Sequence, residues 1–519
     1  MTETHGPLAF IDHLDRHAEM NPDGVALHFR GETTGWRALR DRARRAAAGQ
    51  IALGLEPGDR IAYLGKNHPA CLETVYASRY TGTVATILNW RLAPDEVAYA
   101  ARDAGAKAIL VSKEHAPVVE RIRSELPALE HVVVVDEDGE GGYEAWLSSQ
   151  DPLARSRTPD PREGWVQLYT SGTTGFPKGA VLTYEGLATH SAGLAPVLGF
   201  SPSSVSMVAM PLYHVGGICW FHVGAALGAS SLVVEEVHPV HLLDDIAAQR
   251  ITHSFFVPAI FGFFMQVPDL KTRDLSSLQS VVYGASPMPL PLLEKTLEVF
   301  TCDLVQVYGM TEMSGVVTML DAESHRDPAV RHRLTSAGKA IPSCDIRVVL
   351  PGTIEDAPVG TMGEILVRSR QQLLEYHGKP DATEAAFVGE WYKSGDAGHL
   401  DQDGYLYVSD RLKDMIITGG ENVYPAEVER VLVQHPAVRE VAVIGVPSEK
   451  WVESVKAVVA LESEATAEEL IAHCQAHLAK FKCPTSVDFV EALPRNATGK
   501  VLKRDLRAPY WAGHERRLA

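Results

Sequence analysis

Residues 169–179 read Tyr169-Thr-Ser-Gly-Thr-Thr-Gly-Phe-Pro-Lys-Gly179 and continue the apolar stretch Trp165–Tyr169. The run combines four Ser/Thr hydroxyls, three glycines and one lysine. Glycines let the backbone approach a ligand and turn its N–H groups toward it, while the hydroxyls and the ammonium add donors and positive charge. The spacing is G-x-x-G-x-x-K-G, not the G-x-x-x-x-G-K-[ST] of a P-loop. The run therefore predicts a polyphosphate-binding loop of another kind, with a plain surface turn as the alternative that the loop alone leaves open.

The composition indicates a large globular protein. The chain has 519 residues, of which 45% are hydrophobic and 22% are charged, enough for more than one domain. Its net charge of −18 disfavours nucleic acid as a partner. The six cysteines are scattered without a C-x-x-C pair, which is typical of a cytosolic protein rather than a disulfide framework, and no residue cluster has zinc-site spacing.

The first residues, Met1–Leu8, lack the basic region and apolar core of a signal peptide. No apolar run reaches membrane-spanning length. We therefore expect a cytoplasmic protein.

Apolar strand-like runs alternate with amphipathic helical stretches through most of the chain. Trp36–Leu53 predicts a helix that stops at Gly54, and Arg60–Leu64 and His131–Val135 predict strands. This alternation predicts an α/β fold of parallel sheets covered by helices. Shorter strands and helices begin near Arg411, which predicts a domain boundary at 410–413 and a small α+β domain after it.

Seven further motifs follow the opening run in a fixed order. They are Met210-Pro-Leu-Tyr-His-Val-Gly-Gly217, Tyr283-Gly-Ala-Ser-Pro-Met288, Tyr308-Gly-Met-Thr-Glu312, Gly363-Glu-Ile-Leu-Val-Arg368, Tyr392-Lys-Ser-Gly-Asp396, Asp410-Arg-Leu-Lys-Asp-Met-Ile-Ile-Thr-Gly-Gly-Glu-Asn-Val-Tyr-Pro425 and Pro494-Arg-Asn-Ala-Thr-Gly-Lys500. Together they resemble the acyl-adenylate-forming superfamily, which includes acyl-CoA synthetases, firefly luciferase and the adenylation domains of peptide synthetases. The resemblance covers essentially the whole chain.

The resemblance implies an architecture. It implies a large N-terminal domain, 1–410, of parallel sheet layers with helices plus a β-barrel-like part. A hinge at 411–413 would join it to a small mobile α+β C-terminal domain, 414–519. Lys413 occupies the hinge position.

The resemblance also implies a nucleotide site. The phosphates of ATP would be held by Thr170, Ser171, Gly172, Thr173, Thr174, Gly175 and Lys178. Gly284, Ala285 and Ser286 would follow the adenine edge, and Tyr308, Gly309, Met310 and Thr311 would provide the adenine stack and an α-phosphate donor. Asp396 would accept both ribose hydroxyls, with Arg411 near the ribose and phosphates.

Two charged residues carry the catalytic expectation. Glu312 would hold Mg²⁺ with help from the Thr170 hydroxyl, since Mg²⁺ is usually held by one or two protein oxygens plus phosphates. Lys500 would reach the bridging region between carboxylate and α-phosphate with its long flexible stem. After the small domain turns, Gly419, Gly420 and Glu421 would line the path of CoA.

The acyl pocket is expected beside His214, Gly216 and Val307. Many relatives carry a second glycine where this chain has Ala285, and a glycine where it has Val307. A valine there narrows the pocket and disfavours a flat, cinnamate-like acid. The aromatic segment from Phe255 to Met265 is expected to be part core and part pocket wall.

The sequence therefore predicts an AMP-forming carboxylate–CoA ligase acting on an apolar acid, a medium- to long-chain fatty acid. Its substrates would be the acid, ATP with Mg²⁺, and CoA, with a peripheral membrane contact for the acyl substrate and a monomer or homodimer left open. An aryl- or cyclic-acid CoA ligase is the nearest alternative. A carrier-loading adenylation module, a luciferase-like oxygenase and an inactive binding protein are the others; no G-G-x-S carrier motif follows Lys500.

Overall fold

The computed structural model describes residues 12–136, 141–154, 157–170, 177–286, 288–411, 414–418, 421–448, 451–495 and 501–512. Several predicted site residues fall outside these ranges: Ser171, Gly172, Thr173, Thr174, Gly175, Lys413, Gly419, Gly420 and Lys500. The side chains of Arg411 and Glu421 also lie outside the described part. The roles predicted for all of these stay predictions.

The strands are numbered in chain order. They are β1 (Val25–Phe29), β2 (Glu32–Gly35), β3 (Arg60–Leu64), β4 (Val84–Leu88), β5 (Ala106–Ser112), β6 (His131–Val135), β7 (Gly164–Thr170), β8 (Lys178–Thr183), β9 (Val205–Val208), β10 (Ser230–Val233), β11 (His253–Phe256), β12 (Ser280–Gly284), β13 (Asp303–Met310), β14 (Gly315–Leu320), β15 (Lys339–Ala340), β16 (Asp345–Val349), β17 (Gly363–Arg368), β18 (Glu375–Tyr376), β19 (Phe387–Val388), β20 (Trp391–Leu400), β21 (Leu406–Arg411), β22 (Ile416–Thr418), β23 (Glu421–Val423), β24 (Val438–Ser448), β25 (Val452–Leu461) and β26 (Ser486–Phe489).

The helices are numbered in the same way. They are α1 (His13–Met20), α2 (Trp36–Ala52), α3 (Pro69–Thr81), α4 (Pro94–Ala104), α5 (Ala116–Ile122), α6 (Tyr143–Ser148), α7 (Tyr184–Leu194), α8 (Val215–Ala226), α9 (Pro239–Ala248), α10 (Pro258–Phe264), α11 (Leu290–Val299), α12 (Ala322–Arg326), α13 (Pro380–Ala385), α14 (Pro425–Leu432), α15 (Ala467–His477) and α16 (Lys503–Trp511).

Two large sheets form most of the chain. One has seven strands in the order β18-β8-β7-β4-β3-β5-β6, with the run from β7 to β6 parallel. The other has nine strands in the order β15-β14-β13-β12-β11-β9-β10-β1-β2, with the run from β13 to β1 parallel. The nine-stranded sheet has antiparallel strands at both ends of its parallel run, and the seven-stranded sheet has them only beyond β7. The predicted parallel layers are therefore present.

Two smaller sheets complete the fold. An antiparallel sheet pairs β16, β17, β20, β19 and β21, and it is the counterpart of the predicted barrel-like part. After it, β22 to β26 form a separate five-stranded sheet with helices α14, α15 and α16. This last unit has the α+β character predicted for the C-terminal region.

Local sequence accounts for the helix α2. Its buried residues include Trp36, Leu39, Ala43 and Ala47, which recur every three to four positions and so lie on one face of a helix. The helix ends before Gly54, which has a φ of 77°, a conformation that glycine adopts without a steric penalty. The predicted stop at Gly54 is therefore placed correctly.

The main hydrophobic core joins the two large sheets. It includes Ile61 and Tyr63 from the seven-stranded sheet, Val208 and Val305 from the nine-stranded sheet, and buried residues of α3 and α8. A second core lies on the other face of the nine-stranded sheet and includes Phe256, Phe261 and Phe264. All six cysteines lie in the described residues and are buried as free thiols. No helix in the described ranges is both long enough and apolar enough to cross a bilayer.

Histidines occur inside the main core. His222, on α8, is 2% exposed, and its ring lies 4.9 Å from Trp165, 5.6 Å from His13 and 5.8 Å from Tyr76, measured between ring centroids. Its Nε2 has no hydrogen-bond partner in the part of the chain that the structure describes. Burial, with a smaller contribution from His190, lowers the pKa of His222 to about 3. The core therefore holds this histidine in the neutral form.

Replacement of His222 tests the acid sensitivity of this core. Between pH 6.5 and about 3, His222 is protonated in the unfolded chain but neutral in the folded chain. The free energy of unfolding therefore falls as the pH falls through this range. One such histidine accounts for about 2 kcal/mol of unfolding free energy between pH 7 and pH 5. His222→Phe should therefore lose less stability than the wild type over this interval in urea denaturation. Equal losses in the two proteins would show that His222 does not carry the effect.

Candidate active site

The hairpin β7–β8 contains the predicted phosphate loop, residues 169–179. Thr170 ends β7, Lys178 begins β8, and the two residues are opposite each other in the antiparallel register. The loop between them therefore leaves and re-enters the sheet at one point. This geometry brings the two described ends of the predicted phosphate loop together.

Two of the other motifs lie at the carboxyl ends of parallel strands. Gly284, Ala285 and Ser286 follow from β12, and Tyr308, Gly309 and Met310 end β13. Because β12 and β13 are parallel neighbours, both segments reach the same edge of the sheet. Ligands of open α/β sheets bind at this edge.

Position 284 requires glycine because the neighbouring strand β13 leaves no room for a side chain. The two residues Gly284 and Val307 are opposite each other, and a Cβ on Gly284 would lie 2.4 Å from the carbonyl oxygen of Val307. The next residue, Ala285, has a φ of 65°, in the left-handed region that costs a non-glycine residue about 1–2 kcal/mol. The departure from glycine at Ala285 therefore places a strained residue beside the predicted adenine edge.

Tyr308 and Asp396 contact each other directly. The Tyr308 hydroxyl donates to Asp396 Oδ2 at 2.6 Å, although 88 residues separate them in sequence. Asp396 is 6% exposed, and its backbone N–H donates to the Ser394 hydroxyl at 3.0 Å. Burial and the nearby Asp396 carboxylate raise the pKa of Glu364, against the lowering effect of Lys393. The residues predicted for the adenine stack and the ribose thus form one unit.

Glu312 lies in a tight turn after β13. Thr311–Met313 form a 3-10 turn, and Ser314, which follows, has a φ of 51°. The Glu312 backbone carbonyl accepts from Leu373 N at 2.7 Å, and its Oε1 accepts from the Tyr376 hydroxyl at 2.9 Å. Both the backbone and the side chain of Glu312 are therefore held by the segment 371–376.

The fully buried side chain of Gln371 holds the same turn. Its Nε2 donates to the carbonyl oxygens of Met313, at 2.9 Å, and Val316, at 2.7 Å. The Ser314 hydroxyl donates back to the Gln371 carbonyl at 2.7 Å. From the other side His190 Nε2 accepts from Val316 N at 3.0 Å. These hydrogen bonds stabilise the positive φ of Ser314, which is otherwise unfavourable for a non-glycine residue.

His214 lies at the start of α8, with Gly216 in the first helical turn. Its Nε2 is buried and has no hydrogen-bond partner among the described residues. Burial first, and then the charge of Arg91, lower the pKa of His214 to about 4. His214 is therefore a neutral imidazole at pH 7, which limits it to hydrogen bonding rather than charge.

The wall beside His214 is apolar. A Cβ on Gly216 would lie 3.0 Å from Phe255 Cε1 and 3.6 Å from Met210 Cε. Val307 is 5% exposed and belongs to the same hydrophobic cluster as Phe255 and Met210. These residues form a candidate acyl surface.

The aromatic segment from Phe255 to Met265 serves mainly as core. Phe256, Phe261 and Phe264 belong to the second core on the opposite face of the sheet, while Phe263 is 48% exposed. Of its phenylalanines, Phe255 belongs to the main core that also contains Val307. Alternation along β11 sends Phe255 and Phe256 to opposite faces of the sheet, and Phe261 and Phe264 of α10 pack into the second core. Most of the segment therefore does not line the candidate acyl surface.

The donors present fit a magnesium site of the kind that substrate phosphates complete. Within the described ranges no group of three His, Cys, Asp or Glu side chains lies close enough to hold a metal ion. Mg²⁺ is commonly held by one or two carboxylates plus substrate phosphates. The single carboxylate of Glu312, in the turn at the end of β13, meets that requirement.

Comparison with known proteins identifies the family. The sequence profile described as "AMP-binding enzyme" matches residues 14–377, and the profile "AMP-binding enzyme C-terminal domain" matches residues 427–500. The chain belongs to the AMP-binding enzyme family. The predicted superfamily, the α/β fold and the class of AMP-forming carboxylate–CoA ligases are thereby confirmed.

Relatives of this family resemble the chain over nearly its full length. A fatty acid–[acyl-carrier-protein] ligase, ScoC, from Streptomyces coeruleorubidus is 34% identical over 97% of this chain and 96% of its own length. A feruloyl-CoA synthase from an Amycolatopsis species is 36% identical over 95% of this chain and 98% of its own length. The solved structure of o-succinylbenzoate CoA synthetase from Bacillus subtilis, in complex with its acyl-adenylate intermediate, is 30% identical with a TM-score of 0.85, covering 95% of this chain and 97% of that one.

Sequence reasoning missed two residues that hold the candidate active site together. Gln371 and Tyr376 reach the Glu312 turn from 55 to 64 residues away in sequence. Neither belongs to a quoted motif, and no local periodicity marks a contact of that separation. The pairing of β18 with β8 brings their segment to the site.

Replacement of Gln371 tests its hold on the turn. Gln371→Met keeps the length of the side chain but leaves the carbonyl oxygens of Met313 and Val316 without their donor. We expect a loss of about 2 kcal/mol or more in unfolding free energy, with slower pyrophosphate exchange because the Glu312 turn loosens.

The neighbouring Gln372 provides the control, since its Oε1 already lacks a partner among the described residues. Gln372→Met should change stability and exchange much less than Gln371→Met. Equal effects from the two variants would contradict a specific role of the Gln371 amide.

Proposed function

We propose that the protein activates an apolar carboxylic acid, a medium- to long-chain fatty acid, to acyl-AMP and then transfers the acyl group to CoA. The main support is the convergence at the carboxyl end of β13 of the Tyr308–Asp396 pair and the Tyr376–Glu312 contact, with Lys178 beside Tyr376. This arrangement offers a nucleoside site next to charged groups for phosphates. The apolar surface of Met210, Phe255 and Val307 offers a place for the acyl chain.

In the first half-reaction a carboxylate oxygen attacks the α-phosphorus of ATP. A P–O bond forms to the acid, and the bond to the pyrophosphate oxygen breaks. Both reactants are anions, so charge neutralisation and alignment are the main catalytic tasks. Lys178 and the hydroxyls of the loop that begins at Thr170 would neutralise the β- and γ-phosphates, and Thr311 would donate to the α-phosphate.

Glu312 is proposed to hold Mg²⁺ with the Thr170 hydroxyl and the phosphate oxygens. When bound, the ion would neutralise charge on the transferred phosphate and on the leaving pyrophosphate. Tyr308 would stack on adenine beside Gly284, Ala285 and Ser286, while Asp396 would accept the ribose hydroxyls. Asp396 would then be shared between the Tyr308 hydroxyl and the ribose, since an ionised carboxylate can accept about four hydrogen bonds.

In the second half-reaction the CoA sulfur attacks the acyl carbonyl and AMP leaves. Lys500 would act only in the first step. A turn of the domain 414–519 relative to 1–410, about a hinge at 411–413, would remove Lys500 and bring Gly419, Gly420 and Glu421 to the pantetheine path. Lys413 would be the pivot.

The fatty substrate is proposed from the shape of the apolar surface. Val307 stands where many relatives carry glycine, and its buried side chain narrows the space beside Gly284. A flexible alkyl chain can bend past such a residue more easily than a flat aryl acid. The fatty acid ligase among the relatives is consistent with this preference.

Two alternatives have specific observations in their favour. The similarity to a feruloyl-CoA synthase favours an aryl acid as the substrate. The similarity to a fatty acid–[acyl-carrier-protein] ligase favours a carrier protein, instead of CoA, as the acyl acceptor. A pyrophosphate-release screen over fatty, aryl and cyclic acids, with CoA, with a holo carrier protein or with neither, distinguishes the three. Thioester formation on CoA from fatty acids is the expected result; release without a thioester on CoA contradicts the proposal.

Lys500→Ala tests the division of the two half-reactions. It should lose adenylation by a large factor yet still convert synthetic acyl-AMP and CoA to thioester, because Lys500 contacts only the first transition state. Both half-reactions are measured separately, and Lys295→Ala, an exposed lysine on α11, is the control. Equal loss of both half-reactions in Lys500→Ala argues against the domain turn.

Val307→Gly tests the acyl surface. Removing the side chain opens space worth a few methylenes, and changes of this size alter discrimination by roughly 10–200-fold. The ratio of kcat/KM for aryl acids to that for fatty acids should therefore rise. Val305→Gly is the matched control. Val305 is as buried as Val307 and lies on the same face of β13, but it is two residues further from the carboxyl end of the strand. An aryl-to-alkyl ratio that is unchanged, or that rises equally in both variants, removes the support for a fatty substrate.

A further inference from the structure

Tyr376 joins two parts of the site that the motifs treat as separate. It lies on the short strand β18, paired with β8 through Ala180, two residues beyond Lys178. Its side chain is 6% exposed. The residue therefore stands between the phosphate-loop hairpin and the Glu312 turn.

The hydroxyl of Tyr376 contacts two oxygen atoms. It lies 2.9 Å from Glu312 Oε1 and 3.0 Å from the hydroxyl of Tyr392. An ionised carboxylate can only accept hydrogen bonds, so Tyr376 donates to Glu312 and Tyr392 donates to the oxygen of Tyr376. The resulting chain of hydrogen bonds holds Oε1 of Glu312 in place and so restricts the rotation of its carboxylate.

The ring of Tyr376 makes a second, separate contact. Lys178 Nζ lies 4.9 Å from the ring centroid, within the range of a cation–π interaction. One side chain therefore positions a carboxylate with its hydroxyl and an ammonium with its ring face.

We propose that Tyr376 is the positioning residue for the magnesium–ATP complex, orienting Glu312 toward the metal ion and keeping Lys178 apart from it for the phosphates. The inference rests on the proposed function, in which Glu312 holds Mg²⁺ and Lys178 binds phosphate. It adds a residue that no motif of the sequence singled out. The two contacts of Tyr376 are separable by mutation, which makes the proposal testable in parts.

The test measures binding of α,β-methylene ATP, which cannot form an adenylate, by calorimetry over a series of Mg²⁺ concentrations and in EDTA. Tyr376→Phe keeps the ring and loses the hydroxyl. The Mg²⁺ concentration for half-maximal binding should rise about tenfold, as when a hydrogen-bonded partner of a metal ligand is removed, while binding in EDTA should stay at the wild-type value. Tyr376→Leu loses the ring as well, and binding in EDTA should also weaken, by about two- to fivefold.

Tyr143→Phe is the matched control. The Tyr143 hydroxyl likewise donates to a carboxylate, Glu73 Oε2, at 2.7 Å, but it lies in the core away from this site. It should leave both binding curves unchanged even where its melting temperature falls as far as that of Tyr376→Phe. A general loss of stability therefore cannot imitate the expected shift.

Glu312→Gln separates the two levels of the argument. If Glu312→Gln shifts the Mg²⁺ requirement and Tyr376→Phe does not, the positioning role of Tyr376 is wrong and the metal role of Glu312 stands. If neither variant shifts it, the metal role itself is wrong, and the inference falls with it. The proposal is supported if Glu312→Gln and Tyr376→Phe both shift the Mg²⁺ requirement, while binding in EDTA stays unchanged in Tyr376→Phe and weakens in Tyr376→Leu.

Discussion

The amide of Gln371 is the constraint on which the candidate site depends. The short 3-10 turn Thr311–Met313 has its own hydrogen bond, from Ser314 N–H to the Thr311 carbonyl oxygen at 2.9 Å, but it leads into the left-handed residue Ser314. Two hydrogen bonds from one buried amide, with His190 on the other side, hold this turn against the rest of the protein. Because these hydrogen bonds act on the backbone, they position Glu312 independently of the contacts of its side chain.

A second level of control acts on side chains. Tyr308 bonds to Asp396, and Tyr376 bonds to Glu312; in each case a tyrosine hydroxyl orients a carboxylate. Tyr392, four residues before Asp396 on β20, also contacts Tyr376. The Tyr308–Asp396 pair and the Tyr376–Glu312 contact are therefore linked through β20, which carries both Tyr392 and Asp396.

The sequence predicted elements well where the signal was local. The strands Arg60–Leu64 and His131–Val135 have the predicted bounds, because each is an apolar run bounded by turn residues. The helix α2 ends within one residue of its predicted end for the same reason. The predictions were weakest where two faces compete: the Phe255–Met265 segment contributes to two cores and a surface, and its composition alone does not say which side chain faces which. Gln371 and Tyr376 were missed because their partners are more than 50 residues away, and the predicted roles of Lys500 and Lys413 remain predictions.

The main core belongs to both large sheets at once, and this has a consequence for how the enzyme can change. Neither sheet buries its inner face without the other, so the two behave as one cooperative unit rather than as modules that could be exchanged or expressed apart. The site takes Lys178 from one sheet and Glu312 from the other. A substitution deep in the shared core can therefore alter catalysis through a small shift between the sheets, and such variants would first be recognised in an activity screen rather than by loss of soluble protein.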